Sequence, residues 1–298
     1  MAEQTRWRQL VQTPLVSIGD YRCRPADLGR GPVETSTTGS IVLLRSGAFV
    51  KHVRGEEVVA DVNHVVFFYP DEPYHVSHPV ACGDECTVFR LRADVLTEMA
   101  AACDPAAVER PERPIDYTHA PSAPRSYMLH RLLVHGLQTA HLTELASEEI
   151  SLVLLEGVLN EAHRSHGLTP PRRRADTSRA HREQVDAAIV MLCRRFRERV
   201  TLDDLATQVH SSPFHLSRIF RRQTGQPMHA YLNRLRLRHA LDMLLDDEPN
   251  LTHVALACGY YDHGHFSNAF RREFGLTPSH CRRADLREFV QMSKTFQA

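Results

Sequence analysis

Hydrophobic and polar positions change rhythm partway along the chain. Between Leu15 and Leu91 the apolar residues come in short runs, at 40–44, 48–50, 58–59, 65–69 and 87–91. Turn-formers separate them: Arg30-Gly31-Pro32, Arg54-Gly55 and Cys82-Gly83-Asp84. Many short strands with regular turns predict a sandwich or barrel. From residue 94 the period lengthens. Residues 94–108 read as a short helix, and a proline-interrupted stretch follows to Pro124. Segments 125–140 and 143–163 then carry apolar residues at spacings of three and four, the mark of amphipathic helices. Such a helical pair either covers the core of the β domain or forms a dimer seam, and the pattern leaves both open.

Residues 167–180 read as a linker containing Gly167, Pro170, Pro171 and the triplet Arg172, Arg173 and Arg174. Beyond it the pattern is helical to about Arg287. Val185, Ile189, Leu192 and Phe196 share one face of a first helix. Thr201 is placed to cap a short helix starting at Leu202, with Asp203 and Asp204 in its positive first turn. Residues 228–245 form a long helix. The expected architecture is α+β and multidomain: a β-barrel over 1–120, a helical pair over 121–166, a linker over 167–181 and an all-helical domain over 182–298.

The helical region repeats itself. Residues 215–225 (HLSRIFRRQTG) return as 265–275 (HFSNAFRREFG), an offset of 50 residues. Each copy follows a short helix and a polar turn, which is a helix-turn-helix arrangement. Ala206 and Ala255 supply the small residue where the second helix crosses the first. Gly259 supplies a turn residue tolerant of positive φ, with His210 near the same place in the first copy. Leu216, Ile219, Phe220, Phe266 and Phe270 are the expected core of the two units. The expected helix at 228–245, which lies between the copies, has 18 residues and spans about 27 Å, the right order for reaching successive major-groove segments about 34 Å apart.

On these residues, with Arg236-Leu237-x-x-Ala240 in the connecting helix and the closing stretch from Ala257 through Gly259-Tyr260 to Gly275 and Pro278, the sequence resembles the AraC family of bacterial transcriptional regulators over about 182–287. The resemblance implies a double helix-turn-helix that binds promoter or operator DNA. Its groove-facing positions fall on Phe214, Ser217 and Arg218 in one recognition helix, and on His263, Gly264, Ser267 and Asn268 in the other. Arg218 can pair bidentately with guanine, Asn268 with adenine, and Phe214 can meet a thymine methyl. Gly264 has no side chain to read with. Arg221, Arg222, Arg271 and Arg272, one turn further on, suit phosphate contacts that set register.

Residues 40–91 resemble the cupin-type effector domain of the same family, through the run Val65 to Tyr69 and the following Pro70, Pro73, Tyr74 and His75. That resemblance implies a small-molecule effector inside the barrel, closed over by the N-terminal arm, with Arg24, Arg45, His64, Tyr74 and His75 as candidate lining residues. It also implies a cytoplasmic regulator, with a homodimer and RNA polymerase as further partners; activator and repressor are not separated by these residues. No cofactor and no catalytic residue enter this reading. The alternative is a metal-binding cupin enzyme, or a metal or redox sensor, with an appended helical domain. Its candidate ligands are His75, His78, Cys82 and Cys86, which have zinc-type chemistry but no standard finger spacing. The His-x-His plus Glu set usual in cupin enzymes is missing.

Charge supports the division into halves. The 36 Lys+Arg equal the 36 Asp+Glu, a neutrality that taken alone argues against nucleic acid. Up to Pro171, 15 basic and 22 acidic residues give −7; from Arg172 onward, 21 and 14 give +7. Residues 181–298 carry 17 and 13, or +4, so arginine placement matters more than bulk charge. Seven scattered cysteines fit reduced thiols better than a disulfide framework. No segment reaches the roughly 18 apolar residues a membrane span needs.

Overall fold

The structure, a computed structural model, describes residues 4–26, 28–79, 83–139, 142–167, 175–246 and 250–282. It divides between residues 168 and 169 into two units. The described part of the first contains strands β1 (Gln4–Gln12), β2 (Val16–Arg24), β3 (Ser40–Val53), β4 (Glu56–Asp61), β5 (His64–Phe68), β6 (His75–Ser77), β7 (Asp84–Leu91) and β8 (His119–Pro121). Helices α1 (Ala93–Ala101), α2 (Pro124–Gln138) and α3 (Glu144–Gly167) and a 3-10 turn at Pro105–Glu109 complete it, so the helix expected over 94–108 is divided in two.

Among the described residues these strands form one eight-stranded antiparallel sheet in the order β1-β2-β7-β3-β5-β8, with β4 and β6 also pairing β3. The expected barrel is therefore an open sheet. Its curvature comes from β3, whose first half pairs β5 and β7 and whose second half pairs β4 and β6. A register shift between Leu44 and Ser46 and a left-handed Gly47 (φ 75°) mark the bend. A Cβ on Gly47 would overlap the Gly83 carbonyl oxygen, and one on Gly83 (φ 73°) would overlap that of Cys23. Glycine at both positions lets β2, β3 and β7 converge at this end.

Strand alternation divides the residues between two environments. On β7, Thr87 and Phe89 face α2: His130 Nε2 lies 2.7 Å from Thr87 Oγ1, and the Phe89 and His130 rings sit edge-on at 6.0 Å. Asp84, Cys86, Val88 and Arg90 face the opposite way. Helix α2 buries Tyr127, Met128, Leu129, Leu132, Leu133 and Val134, and α3 buries Ile150, Leu154, Leu155, Val158 and Leu159. Most of the apolar face of the helical pair is thus covered within its own unit, while Leu145 at the start of α3 stays exposed and Val153 is half-buried.

The second unit holds α4 (Ala175–Arg195), α5 (Leu202–Gln208), α6 (Pro213–Thr224), α7 (Met228–Leu245), α8 (Leu251–Ala257), α9 (His263–Phe274) and α10 (Pro278–Cys281). Helix α4 starts inside the expected linker of 167–181. The polar stretch is compatible with helix, and Arg179 pairs with Glu183 one turn on at 3.0 Å. The triplet Arg172, Arg173 and Arg174 lies outside the described residues. Leu216, Phe220, Phe266 and Phe270 are fully buried and Ile219 is 2% exposed, as the repeat predicts; Ala206 and Ala255 are buried at the helix crossings.

Candidate nucleic-acid interface and ligand cavity

The two helix-turn-helix units are built with the same local devices. Thr201 caps α5 in a reciprocal box with Asp204, and Asn250 caps α8. The residue after each C-cap is left-handed: His210 at φ 50° and Gly259 at φ 79°. Ser212 then accepts a hydrogen bond from the His215 amide at 3.2 Å, and Asp262 accepts one from the His265 amide at 2.7 Å. The first helices, starting at Leu202 and Leu251, are offset by 49 residues; the second, starting at Pro213 and His263, by 50. The second turn is therefore one residue longer.

Gly259 is needed for a further reason. A Cβ there would lie 2.8 Å from the Arg197 carbonyl oxygen and 3.2 Å from the Arg236 guanidinium carbon. Arg236 itself donates to the carbonyls of Phe196 (2.7 Å) and Glu198 (2.8 Å), so a cation meets the negative C-terminal end of α4. Gly259→Ala is expected to lose at least about 1–2 kcal/mol from the left-handed backbone alone, read as a lower thermal midpoint. His210→Gly removes the corresponding strain and is expected to show no such loss.

The outward faces of α6 and α9 carry the residues the repeat singles out. Phe214 is 79% exposed, and Ser217, Arg218, Arg221 and Arg222 are exposed beside it. His263, Gly264, Asn268, Arg271 and Arg272 are exposed on α9; Ser267 is half-buried with its hydroxyl 3.3 Å from His263 Nε2. Among the described residues no carboxylate forms an ion pair with Arg218, Arg221, Arg222, Arg271 or Arg272, whereas Arg195 pairs with Glu198 (2.8 Å) and Arg234 with Glu273 (3.1 Å). Burial, and then the positive field of His215, Arg222 and Arg218, lower the pKa of the His181 imidazole on α4, so the α6 face is electropositive. Arg234–Glu273 and a 2.6 Å bond from the Tyr260 hydroxyl to Asn233 Oδ1 tie the second helix-turn-helix to α7.

In the other unit, the sheet face turned away from α2 borders a cavity of about 360 Å³. Trp7, Tyr21, Phe49, Phe68 and Tyr74 form its aromatic walls. Gly19 makes room for the indole, since a Cβ there would overlap the Trp7 ring. The Arg90 guanidinium lies 4.6 Å over that indole, a cation–π arrangement that leaves its N–H edge available. No carboxylate among the described residues pairs with Arg90.

Of the five residues expected to line such a cavity, Tyr74 does so, its hydroxyl donating to Glu34 Oε2 at 3.2 Å. The other four fall outside the wall, and period-two alternation explains most of this. His75 points away from the side shared by Tyr74 and Val76 and donates to the Gly31 carbonyl at 2.9 Å. Arg24, next to the inward Cys23, is exposed. Arg45 is buried against Asp20. His64 opens β5, its Nδ1 2.8 Å from Asp61 Oδ1.

The expected His/Cys set is also redrawn. His78 Nε2 is 2.7 Å from Asp84 Oδ1, and the Cys86 thiol donates to Asp84 Oδ2 at 3.0 Å. Cys23, directly across from Asp84 in the β2–β7 pairing, joins them. His75 is engaged elsewhere and Cys82 lies outside the described residues. Burial, followed by the adjacent Asp84 carboxylate, pushes the Cys86 thiol well above its ordinary pKa, which disfavours the thiolate that redox sensing needs. Cys23, Trp7 and Arg90 were not singled out by spacing, because the partners that give them meaning are remote in sequence.

Residues 205–284 match the family described as "Helix-turn-helix domain". The HTH-type transcriptional activator RhaS of Escherichia fergusonii is 40% identical over 87 residues, 29% of this chain and 31% of RhaS. The aligned segment thus spans about a third of that relative. A solved transcriptional regulator from Chromobacterium violaceum, described as having an AraC-type DNA-binding domain, is 28% identical over 34% of this chain and 91% of its own, with a TM-score of 0.33. ToxT from Vibrio cholerae O395 aligns over 91% of this chain and 98% of its own at 9% identity, with a TM-score of 0.37. Among the described residues no helix is long and apolar enough to cross a membrane.

Proposed function

With residues 205–284 forming an AraC-type helix-turn-helix domain, we propose that the whole chain is a sequence-specific transcriptional regulator whose DNA binding answers to a small molecule held in the N-terminal unit. The observation that carries the DNA half is the pair of capped helices α6 and α9, each presenting arginines that pair with no carboxylate among the described residues, in two helix-turn-helix units connected by the 18-residue α7. Phe214, Ser217, Arg218, His263, Ser267 and Asn268 read bases; Arg221, Arg222, Arg271 and Arg272 hold phosphates. Selection from a random duplex pool, followed by fluorescence anisotropy on the selected site, tests this. Arg218→Ala is expected to relax specificity at one base pair by about 1–3 kcal/mol. If the variant separates cognate from scrambled duplex as well as wild type does, Arg218 is not a base reader.

The cavity supports the effector half. At about 360 Å³ it is at the small end of the usual range for ligand sites, about 300–1,000 Å³. Its aromatic walls and the available Arg90 edge fit a small molecule with an apolar body and an anionic group. A thermal-shift screen of small carboxylates is expected to find one that raises the melting temperature. Arg90→Ala should weaken its binding about 10- to 150-fold, the loss of a charge-assisted hydrogen bond. RNA polymerase and a second copy of the chain complete the reading as partners; a promoter-fused reporter and light-scattering mass measurement test these.

A further inference from the structure

Two parts of the chain remote in sequence bring four potential ligands to one place in the N-terminal unit. Cys23 is the last residue but one of β2, Asp84 and Cys86 lie at the start of β7, and His78 follows β6. Cys23 Sγ, a His78 ring nitrogen and an Asp84 carboxylate oxygen all lie within 4.8 Å of one another. The Cys86 sulfur is 3.0 Å from the other Asp84 oxygen. Cys23 and Cys86 are each 2% exposed, Asp84 3% and His78 7%. Two thiols, an imidazole and a carboxylate are a donor set for a borderline-soft divalent cation. A tetrahedral zinc ion at the usual bond lengths of about 2.0–2.3 Å needs donors about 3.3–3.8 Å apart. Cys23, His78 and Asp84 lie within 4.8 Å of one another, and Cys86, outside that trio but 3.0 Å from Asp84, has to turn toward it to complete a tetrahedron.

The backbone favours this convergence. Gly83 and Gly47 are left-handed and closely packed where β2, β3 and β7 meet, which sets Asp84 directly opposite Cys23. His78, Asp84 and Cys86 also belong to the cavity wall, so an ion has a route in from solvent.

We propose that Cys23, His78, Asp84 and Cys86 form a closed four-ligand zinc site in the wall of the N-terminal cavity. Binding releases the thiol protons of Cys23 and Cys86 to solvent and takes His78 through an unprotonated ring nitrogen, and the cation clamps β2, β7 and His78 after β6. The site is distinct from the sequence-spaced set of His75, His78, Cys82 and Cys86: it keeps His78 and Cys86, adds Asp84 from the same strand as Cys86, and recruits Cys23 from the neighbouring strand. It stands independently of the DNA-binding reading.

The test uses full-length untagged protein, stripped with EDTA and titrated with zinc chloride against a chromophoric chelator, then with cobalt chloride. One zinc per chain is expected, bound tighter than about 1 μM. The cobalt form should show a thiolate-to-metal charge-transfer band in the near ultraviolet. Cys23→Ser and Cys86→Ser should each weaken zinc binding at least about 100-fold, because even residues that merely orient a ligand cost about 10- to 100-fold. Cys103→Ser, remote from the cluster, should bind like wild type. Failure of wild type to bind one zinc, or a cobalt spectrum without the thiolate band, overturns the site whether or not the variants fold. So does zinc affinity in the two ligand variants that matches wild type.

Discussion

Phe270→Ala is expected to destabilise the C-terminal unit by about 3–5 kcal/mol, and Phe214→Ala to leave its stability within about 0.5 kcal/mol. Both are phenylalanines on recognition helices, but their surroundings are opposite. Phe270 is fully buried, its ring 5.7 Å from Phe266 and 4.7 Å from Phe274, so truncation leaves a cavity inside the second helix-turn-helix. Phe214 is 79% exposed on the first turn of α6 and packs on little. Urea unfolding of the two variants followed by circular dichroism measures the difference. DNA affinity should fall for both: Phe270→Ala by depleting the folded domain, Phe214→Ala at full folding. If Phe214→Ala also costs several kcal/mol of stability, its side chain belongs to the core and not to the reading surface.

The second large effect is on salt. If Arg221, Arg222, Arg271 and Arg272 each neutralise a phosphate, log affinity against log salt has a slope near about −3.6, about −0.9 per contact. Between about 50 and 200 mM salt this amounts to about a 150-fold loss of affinity. The expectation rests on the absence of carboxylate partners for these four arginines among the described residues, since a paired guanidinium would have to give up one anion to gain another. Arg221→Ala and Arg271→Ala should each make the slope shallower by about 0.9, and should weaken cognate and scrambled duplexes equally. A slope near about −1 would mean that the net charge of +4 on residues 181–298 is acting only diffusely and that α6 and α9 do not lie against the phosphates.

The C-terminal half was largely legible in the sequence, and the N-terminal cavity was not. A helix-turn-helix is a local object: its caps, turn and inner face lie within about 25 residues, so Thr201, Ala206, Leu216, Phe220 and Gly259 can be assigned from spacing alone. The length of α7, at 228–245, follows from the same periodicity. The positive φ of His210 is the exception, because histidine does not announce a left-handed turn; only its place against Gly259 hints at it.

In the N-terminal half the alternation of β7 was readable, but which face meets the helices and which meets the cavity was not. Period two distributes residues between two faces without naming them. That choice sent His75, Arg24 and Arg45 away from the cavity and brought Trp7, Tyr21 and Arg90 to it. Sequence by itself determined that there are two kinds of unit, that the second repeats a helix-turn-helix, and which side chains that repeat turns outward. Only the tertiary structure decided that β2 lies beside β7, placing Cys23 against Asp84 from a distant part of the chain. The physical reason is that helices close their hydrogen bonds between near neighbours, whereas a strand is completed by a partner that no local pattern names.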